Sequence, residues 1–184
     1  PHGAGEPVIL AANENKAKTA KKLEKESGAS YVGSQACVKC HKSQFGAFAE
    51  TLHGKVFLKQ PRNAAEKLGC EGCHGPGGNH VQNRGGKSTI QAFSLMAPGQ
   101  VVDTCLRCHS QTLSRANIRR SSHTEADVVC SNCHSIHSAQ TPKTLLAKQQ
   151  KDLCYGCHPS VKAQFSMPFK HRVNEGVVQC TDCH

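Results

Sequence analysis

The sequence predicts a mainly α-helical and irregular fold with little β structure. Short helices and loops should close around something other than an aliphatic core. Three observations predict this. The 184 residues include no Trp, two Tyr and six Phe, and only 37% are apolar, less than a soluble domain of this length ordinarily carries. Cysteine and histidine number 12 each, so something besides side-chain packing must fill the interior. Alternating apolar patterns are weak throughout, whereas short helix-forming runs recur.

The cysteines identify the filling. All 12 fall into six Cys-x-x-Cys pairs, and a histidine follows every pair at once. With histidine at 12 of 184 positions, six such coincidences would arise on the order of 10⁻⁷ of the time. The pattern is therefore read as Cys-x-x-Cys-His, the attachment signal for c-type haem. The thioether cysteines are then Cys37, Cys40, Cys70, Cys73, Cys105, Cys108, Cys130, Cys133, Cys154, Cys157, Cys180 and Cys183. The proximal iron ligands are His41, His74, His109, His134, His158 and His184. Six haems (haem C, iron) give about 31 residues per haem, so most of the chain should touch porphyrin. Rival readings explain less. Zinc sites pair Cys with His, but tetrahedral zinc does not need His beside every second Cys. Six disulfides leave the histidines unexplained. A thioredoxin-like Cys-x-x-Cys needs a βαβ context that is absent.

Taken in order, residues 1–36 form a cysteine-free arm. Asn13 to Lys25 is a charged run of helix formers with a candidate cap at Asn13, read as a solvated helical linker or a docking arm. Residues 37–80 form a first di-haem unit. Within it Phe45, Phe48 and Leu52 fall at i, i+3 and i+7, a helix stripe leading to His53. Gly75-Pro-Gly-Gly78 precedes His80, and glycine lets backbone approach a flat cofactor closely. Residues 81–104 hold no motif and contain Gly85-Gly86 and Pro98-Gly99, the expected break between lobes. Residues 105–137 form unit two, and 138–184 unit three.

Six histidines remain: His2, His53, His80, His123, His137 and His171. Six irons need six distal ligands, so all six are candidates. Met96 and Met167 could also ligate iron, but with histidine available both are read as packing residues. The spacing suggests that His53 and His80 serve haems of unit one, and that His123, His137 and His171 serve later ones. A repeat underlies this. Each unit runs motif, histidine, motif, trailing histidine. Unit three lacks the trailing histidine, while His2 stands alone in Pro1-His2-Gly3. Three arrangements fit. Subunits join head to tail, with His2 ligating a neighbour's last haem. The sequence is cut from a longer chain. Or His2 folds back onto its own sixth haem.

The formal charge of +10 can indicate nucleic acid or an anionic membrane. Here twelve haem propionates would balance it, and no DNA-binding motif or aromatic-rich basic patch appears. No nucleic-acid partner is expected. No run of about 20 apolar residues and no signal peptide is visible. Both ends read as edges of a fragment.

Tyr31-Val-Gly-Ser-Gln-Ala-Cys37-Val-Lys-Cys-His41, Cys70-Glu-Gly-Cys-His-Gly-Pro-Gly-Gly-Asn-His80 and Phe165-Ser-Met-Pro-Phe-Lys-His171 resemble segments of the porin-associated decahaem electron-conduit cytochromes. The likeness covers residues 31–184. It implies bis-histidine haems in close succession that carry electrons to periplasmic partners or across an outer membrane. It also implies export, to the periplasm, an outer-membrane porin or an extracellular filament. In that family the last motif usually continues into Pro-His-Gly and ten motifs occur. Here the triplet opens the sequence and there are six motifs. That favours a fragment of a longer conduit, or a relative of the extracellular cytochrome filaments, head-to-tail polymers in which one subunit's histidine ligates the next subunit's haem. Partners are then other redox proteins, further copies of the chain, or a porin. Two histidines on every iron leave no site for substrate, so an enzyme is not expected. The alternative, a multihaem reductase, needs one open iron, for which the His184 haem is the candidate.

Overall fold

The computed structural model describes residues 30–111, 117–141 and 143–183. His2, the run Asn13 to Lys25 and His184 lie outside these. Among the described residues there is no strand, only isolated bridges from Leu146 to His134 and Thr141. The architecture is helical and irregular, as the composition implies.

The helices are short because the motifs punctuate them. They are α1 Ser34–Val38, α2 Lys42–Glu50, α3 Leu52–Gly54, α4 Ala64–Lys67, α5 Glu71–His74 and α6 Gly78–Gln82, then α7 Pro98–His109, α8 Ser122–Glu125, α9 Cys130–Cys133, α10 Gln150–Tyr155 and α11 Pro159–Gln164. Each of the first, second, fourth and fifth motifs closes as one helical turn. The histidine N–H donates to the first cysteine's carbonyl: His41 to Cys37 at 2.9 Å, His74 to Cys70 at 3.0 Å, His134 to Cys130 and His158 to Cys154 at 2.9 Å. Residues i, i+3 and i+4 of such a turn share a face. One turn therefore aims two thiols and an imidazole the same way.

The expected stripe Phe45, Phe48, Leu52 is broken. The Thr51 hydroxyl donates to the Phe48 carbonyl at 2.7 Å and accepts from the Gly54 N–H at 3.0 Å. This ends α2 and caps α3, which runs on into a π-helical turn at Lys55–Lys59. Phe48 stays buried while Leu52 is 51% exposed. A hydroxyl that bonds its own backbone competes with helix continuation, and periodicity does not register it.

Residues 81–104 do more than separate lobes. Pro98 sits in the first turn of α7, where its missing N–H costs nothing, so Pro98-Gly99 starts the longest helix among the described residues. The limit drawn at 104/105 falls inside α7. Val101, Val102 and Leu106 from this helix meet Val129 in a buried cluster, with Phe93, Met96 and Ile118 packed against it. Met96 is thus a packing residue, whereas Met167 is 61% exposed.

A carboxylate ties the first two motifs together. Glu71, inside the second motif, is buried. It accepts from the backbone N–H groups of Val32 (3.0 Å), Gly33 (2.8 Å) and Gly77 (2.7 Å). Ser34 Oγ accepts from the Cys70 N–H at 3.1 Å. Gly78 lies against Ser30, whose carbonyl accepts from the Gly78 N–H at 2.8 Å. The Gly77-Gly78 pair therefore admits a neighbouring backbone segment, where a cofactor face was expected. No helix of the described residues is long and apolar enough to cross a membrane.

Candidate haem sites

The functional geometry is a set of imidazole pairs. His41 and His80 have ring centres 6.1 Å apart with planes 20° from parallel, and His74 and His137 are 5.9 Å apart at 12°. His53 and His109 are 5.7 Å apart at 63°, and His123 and His158 are 6.1 Å apart at 58°. In all four, one member directly follows a Cys-x-x-Cys and the other does not. Two metal–nitrogen bonds of about 2 Å on opposite faces, plus roughly 1.1 Å from each nitrogen to its ring centre, give about 6 Å between centres. The pairs have the spacing that one doubly ligated iron requires. Among the described residues no three His, Cys, Asp or Glu converge as a metal cage. The histidines meet in twos, as axial ligands of a ring-held metal do.

The pairing differs from the one expected. His80 meets His41 within unit one, but His53 crosses to unit two and His137 reaches back to unit one. The reason is tertiary. The turn that Thr51 caps carries His53 toward the end of α7, where His109 lies, instead of toward His74. His134 and His171 meet no other imidazole among the described residues.

Second contacts prepare several rings for metal. His74 Nδ1 lies 3.1 Å from the Gln91 carbonyl, His134 Nδ1 3.0 Å from the Thr144 carbonyl, and His80 Nδ1 3.1 Å from the Gly86 carbonyl. A carbonyl only accepts, so each Nδ1 must carry the proton and Nε2 is left as a lone-pair donor. Phe93 stands 5.4 Å from His74, Phe48 6.0 Å from His137 and Phe57 6.0 Å from His53. Burial, followed by the neighbouring charges of His109 and His134, pushes the His53 imidazole below its ordinary range. Burial followed by His74 and His41 does the same to His137. Both effects favour the neutral ring that binds metal. Among the described residues, His53 Nδ1 is the buried side-chain nitrogen or oxygen without a hydrogen-bond partner. Such an orphan is costly.

The thiols form a ladder in chain order. Burial and then Cys70 raise the Cys37 thiol to about 11. Cys105 shares a hydrogen bond with Cys130, which raises Cys105 and lowers Cys130 to about 6. Burial, followed by a hydrogen bond with Cys180, raises Cys154 to about 11. Burial is also the main cause for Cys73, with Cys108 among its charged neighbours, and for Cys133, with Cys157 next. Every motif thus has a thiol close to a thiol of the next. An open cleft of about 540 Å³ lies against Cys180, lined by Leu146, Val173 and Val178 with Lys143 and Lys151 on its wall. Its apolar wall and ammonium groups suit a flat ring carrying acidic substituents.

Sequence reasoning missed Glu71 and the carbonyls of Gln91, Gly86 and Thr144. A backbone acceptor has no sequence signal. Glu71 had a faint one, an acid inside a motif whose neighbours are glycine.

Paired histidines beside tethering cysteines, repeated along one chain, define a multihaem c-type cytochrome. The profile of the cytochrome c554 and c-prime family matches residues 8–75 and 80–135, and the doubled CXXCH motif profile matches residues 123–163. The chain belongs to the cytochrome c554 and c-prime family, and its CxxCH motifs bind c-type haem. It is 31% identical to the multiheme cytochrome MtrA of Shewanella baltica (strain OS185) over 164 residues, 86% of this chain and 47% of that one. It is 28% identical to the C-type polyheme cytochrome OmcC of Geobacter sulfurreducens (strain ATCC 51573 / DSM 12127 / PCA) over 126 residues, 61% of this chain and 16% of that one. With OmcB of Geobacter sulfurreducens (strain DL-1 / KN400) the identity is 29% over 126 residues, 61% and 15%. The chain spans about half the length of the first relative and about a sixth of the others. No solved structure matches it.

Proposed function

We propose that the chain is a hexahaem conductor that carries electrons along a continuous row of bis-histidine sites. The observation that carries this is the set of four imidazole pairs at 5.7–6.1 Å. Haem supplies the one-electron ferric/ferrous couple when bound. The chain's residues do the rest. Twelve cysteines would tether haem, and the paired imidazoles would hold the iron from both sides at four sites. This excludes substrate from the metal and favours lower potentials than His/Met ligation. The thiol ladder supports the continuity of the row, because it keeps each tether next to the following one. Lysine and arginine excess, +10 overall, offsets propionate charge. The role we assign is respiration outside the cytoplasm, in the periplasm, with an outer-membrane porin, or in an extracellular head-to-tail assembly that uses His2. Partners are other redox proteins.

A second reading has one observation in its favour. His134 meets no second imidazole among the described residues, so its iron is the candidate open site of a reductase. The His184 haem was the expected one. Two measurements on the haem-loaded protein test the proposal. Intact mass should show six covalent haems. Electron paramagnetic resonance of the ferric form should show low-spin iron of two kinds, from two near-parallel and two crossed imidazole pairs. A high-spin iron that binds nitrite favours the reductase, and high-spin signals from the four paired sites contradict the conductor.

A further inference from the structure

We infer that Glu71 and Arg107 set the direction in which electrons run through the first three sites, from the first motif toward the third; the inference rests on the bis-histidine row proposed above. The two residues stand inside successive motifs and carry opposite charge. Glu71 lies between Cys70 and Cys73, and Arg107 between Cys105 and Cys108. Each reaches back across the junction to the motif before its own. The Glu71 carboxylate accepts from the Val32 and Gly33 N–H groups at 3.0 and 2.8 Å, just ahead of Cys37. Arg107 Nη2 donates to the Gly72 carbonyl, inside the second motif, at 3.2 Å. The first junction therefore holds an anion and the second a cation. The partners of Glu71 are backbone N–H groups, which carry no net charge. Asp103, one turn before Arg107 on α7, is taken by Arg119 at 2.6 Å. Arg62, which also bears on Cys108, is paired with Glu66 at 2.6 Å.

A fixed anion favours the ferric form of a nearby iron and lowers its potential, whereas a fixed cation favours the ferrous form and raises it. The site of the first motif then lies low, beside Glu71. That of the third lies high, beside Arg107, and the second, which meets both charges, lies between. The thiols register the same two fields. Burial, then Cys70 and then Glu71 raise the Cys37 thiol. Burial raises Cys73 and the bond with Cys130 raises Cys105, and Arg107 opposes both. Arg107 is exposed, so water and salt screen it more than the buried Glu71. The ligands add an independent bias of the same sign. At the first site His80 Nδ1 has the Gly86 carbonyl at 3.1 Å, and at the second His74 Nδ1 has the Gln91 carbonyl at 3.1 Å. Such an acceptor makes the imidazole a stronger donor to metal. At the third site His53 Nδ1 is buried without a partner among the described residues, so this ring gives less electron density and favours the ferrous form. One electron shared by the three sites comes to rest at the third. The iron there goes from ferric to ferrous as the iron at the first returns to ferric, and no bond or proton changes.

The test is a dithionite titration of the haem-loaded protein at controlled potential, followed by electron paramagnetic resonance of the ferric irons. That signal separates the near-parallel pairs of the first two motifs, at 20° and 12°, from the crossed pair of the third, at 63°. The His123–His158 pair is crossed as well, so the Arg107 variants assign the signal. In the parent, a crossed-pair signal disappears before either near-parallel one. Arg107→Gln moves the ferric/ferrous ratio of that crossed site at least about threefold toward ferric, a midpoint lower by about 28 mV at 59 mV per tenfold for one electron. Arg107→Lys, which keeps the charge, moves it by less than half as much. Glu71→Gln raises the midpoint of a near-parallel signal by at least the Arg107→Gln amount. Near-parallel signals that disappear first, equal shifts in Arg107→Gln and Arg107→Lys, or no shift in either glutamine variant overturn the inference and leave the conductor reading intact. If Glu71→Gln fails to take up haem, the two Arg107 variants decide. High-spin iron at the four paired sites of the parent overturns both.

Discussion

Replacing His53 with alanine in the haem-loaded protein converts one haem from low to high spin, and it is the haem tethered at Cys105 and Cys108. About one-quarter of the low-spin intensity of the four paired sites is lost, since one of their four ferric irons exchanges an imidazole for water. The affected site lies in a different unit from the substituted residue, which makes the prediction specific. His53 meets His109 at 5.7 Å, while the nearer motif's His74 is engaged by His137 at 5.9 Å. Two controls fix the assignment. Added imidazole restores the low-spin signal. In a Cys105→Ala/Cys108→Ala background, His53→Ala creates no further high-spin iron. A high-spin haem that persists in that background places His53 on another iron.

Glu71→Ala destabilises the protein by about 1–3 kcal/mol, and lowers the melting temperature by roughly 2–12 °C. Three backbone N–H groups, from Val32, Gly33 and Gly77, converge on this buried carboxylate. Each loses its acceptor in the variant; Val32 and Gly33 are exposed and can turn to water, whereas the Gly77 bond is buried, and an unpaired buried donor costs about 1–3 kcal/mol. Glu71→Gln keeps an accepting oxygen but turns an NH₂ toward the donors, so its loss is intermediate. Thermal melts measure the total, and amide exchange at Val32, Gly33 and Gly77 locates it. An alanine variant within 1 kcal/mol of the parent would show that the clamp is incidental.

The two predictions draw on different layers of legibility. The cofactor class was fully legible, because Cys-x-x-Cys-His is a local signal. Its geometry is one helical turn, closed by bonds such as His74 to Cys70. The mainly helical, strand-poor fold was legible too, from composition and the spacing of motifs. Helix limits were legible only where no side chain intervened. Thr51 ended a stripe that periodicity continued, and Pro98 began a helix where a breaker was read. The pairing of histidines was the least legible. Which imidazole faces which is set by how α7 and its neighbours pack, and a repeat read along the sequence favours partners close in the chain. His137 meeting His74 and His53 meeting His109 are contacts that only a folded chain reveals. The residues that orient the rings act through carbonyls, as Gln91 and Thr144 do, and a carbonyl is the same in every residue type.

The central claim is that these four imidazole pairs are the axial ligand sets of four irons in one row. A density map of the haem-loaded protein tests it most directly, because it locates each iron and both its ligands. The account predicts irons between His41 and His80, His74 and His137, His109 and His53, and His158 and His123. An iron tethered at Cys105 and Cys108 with any distal ligand other than His53 would contradict it.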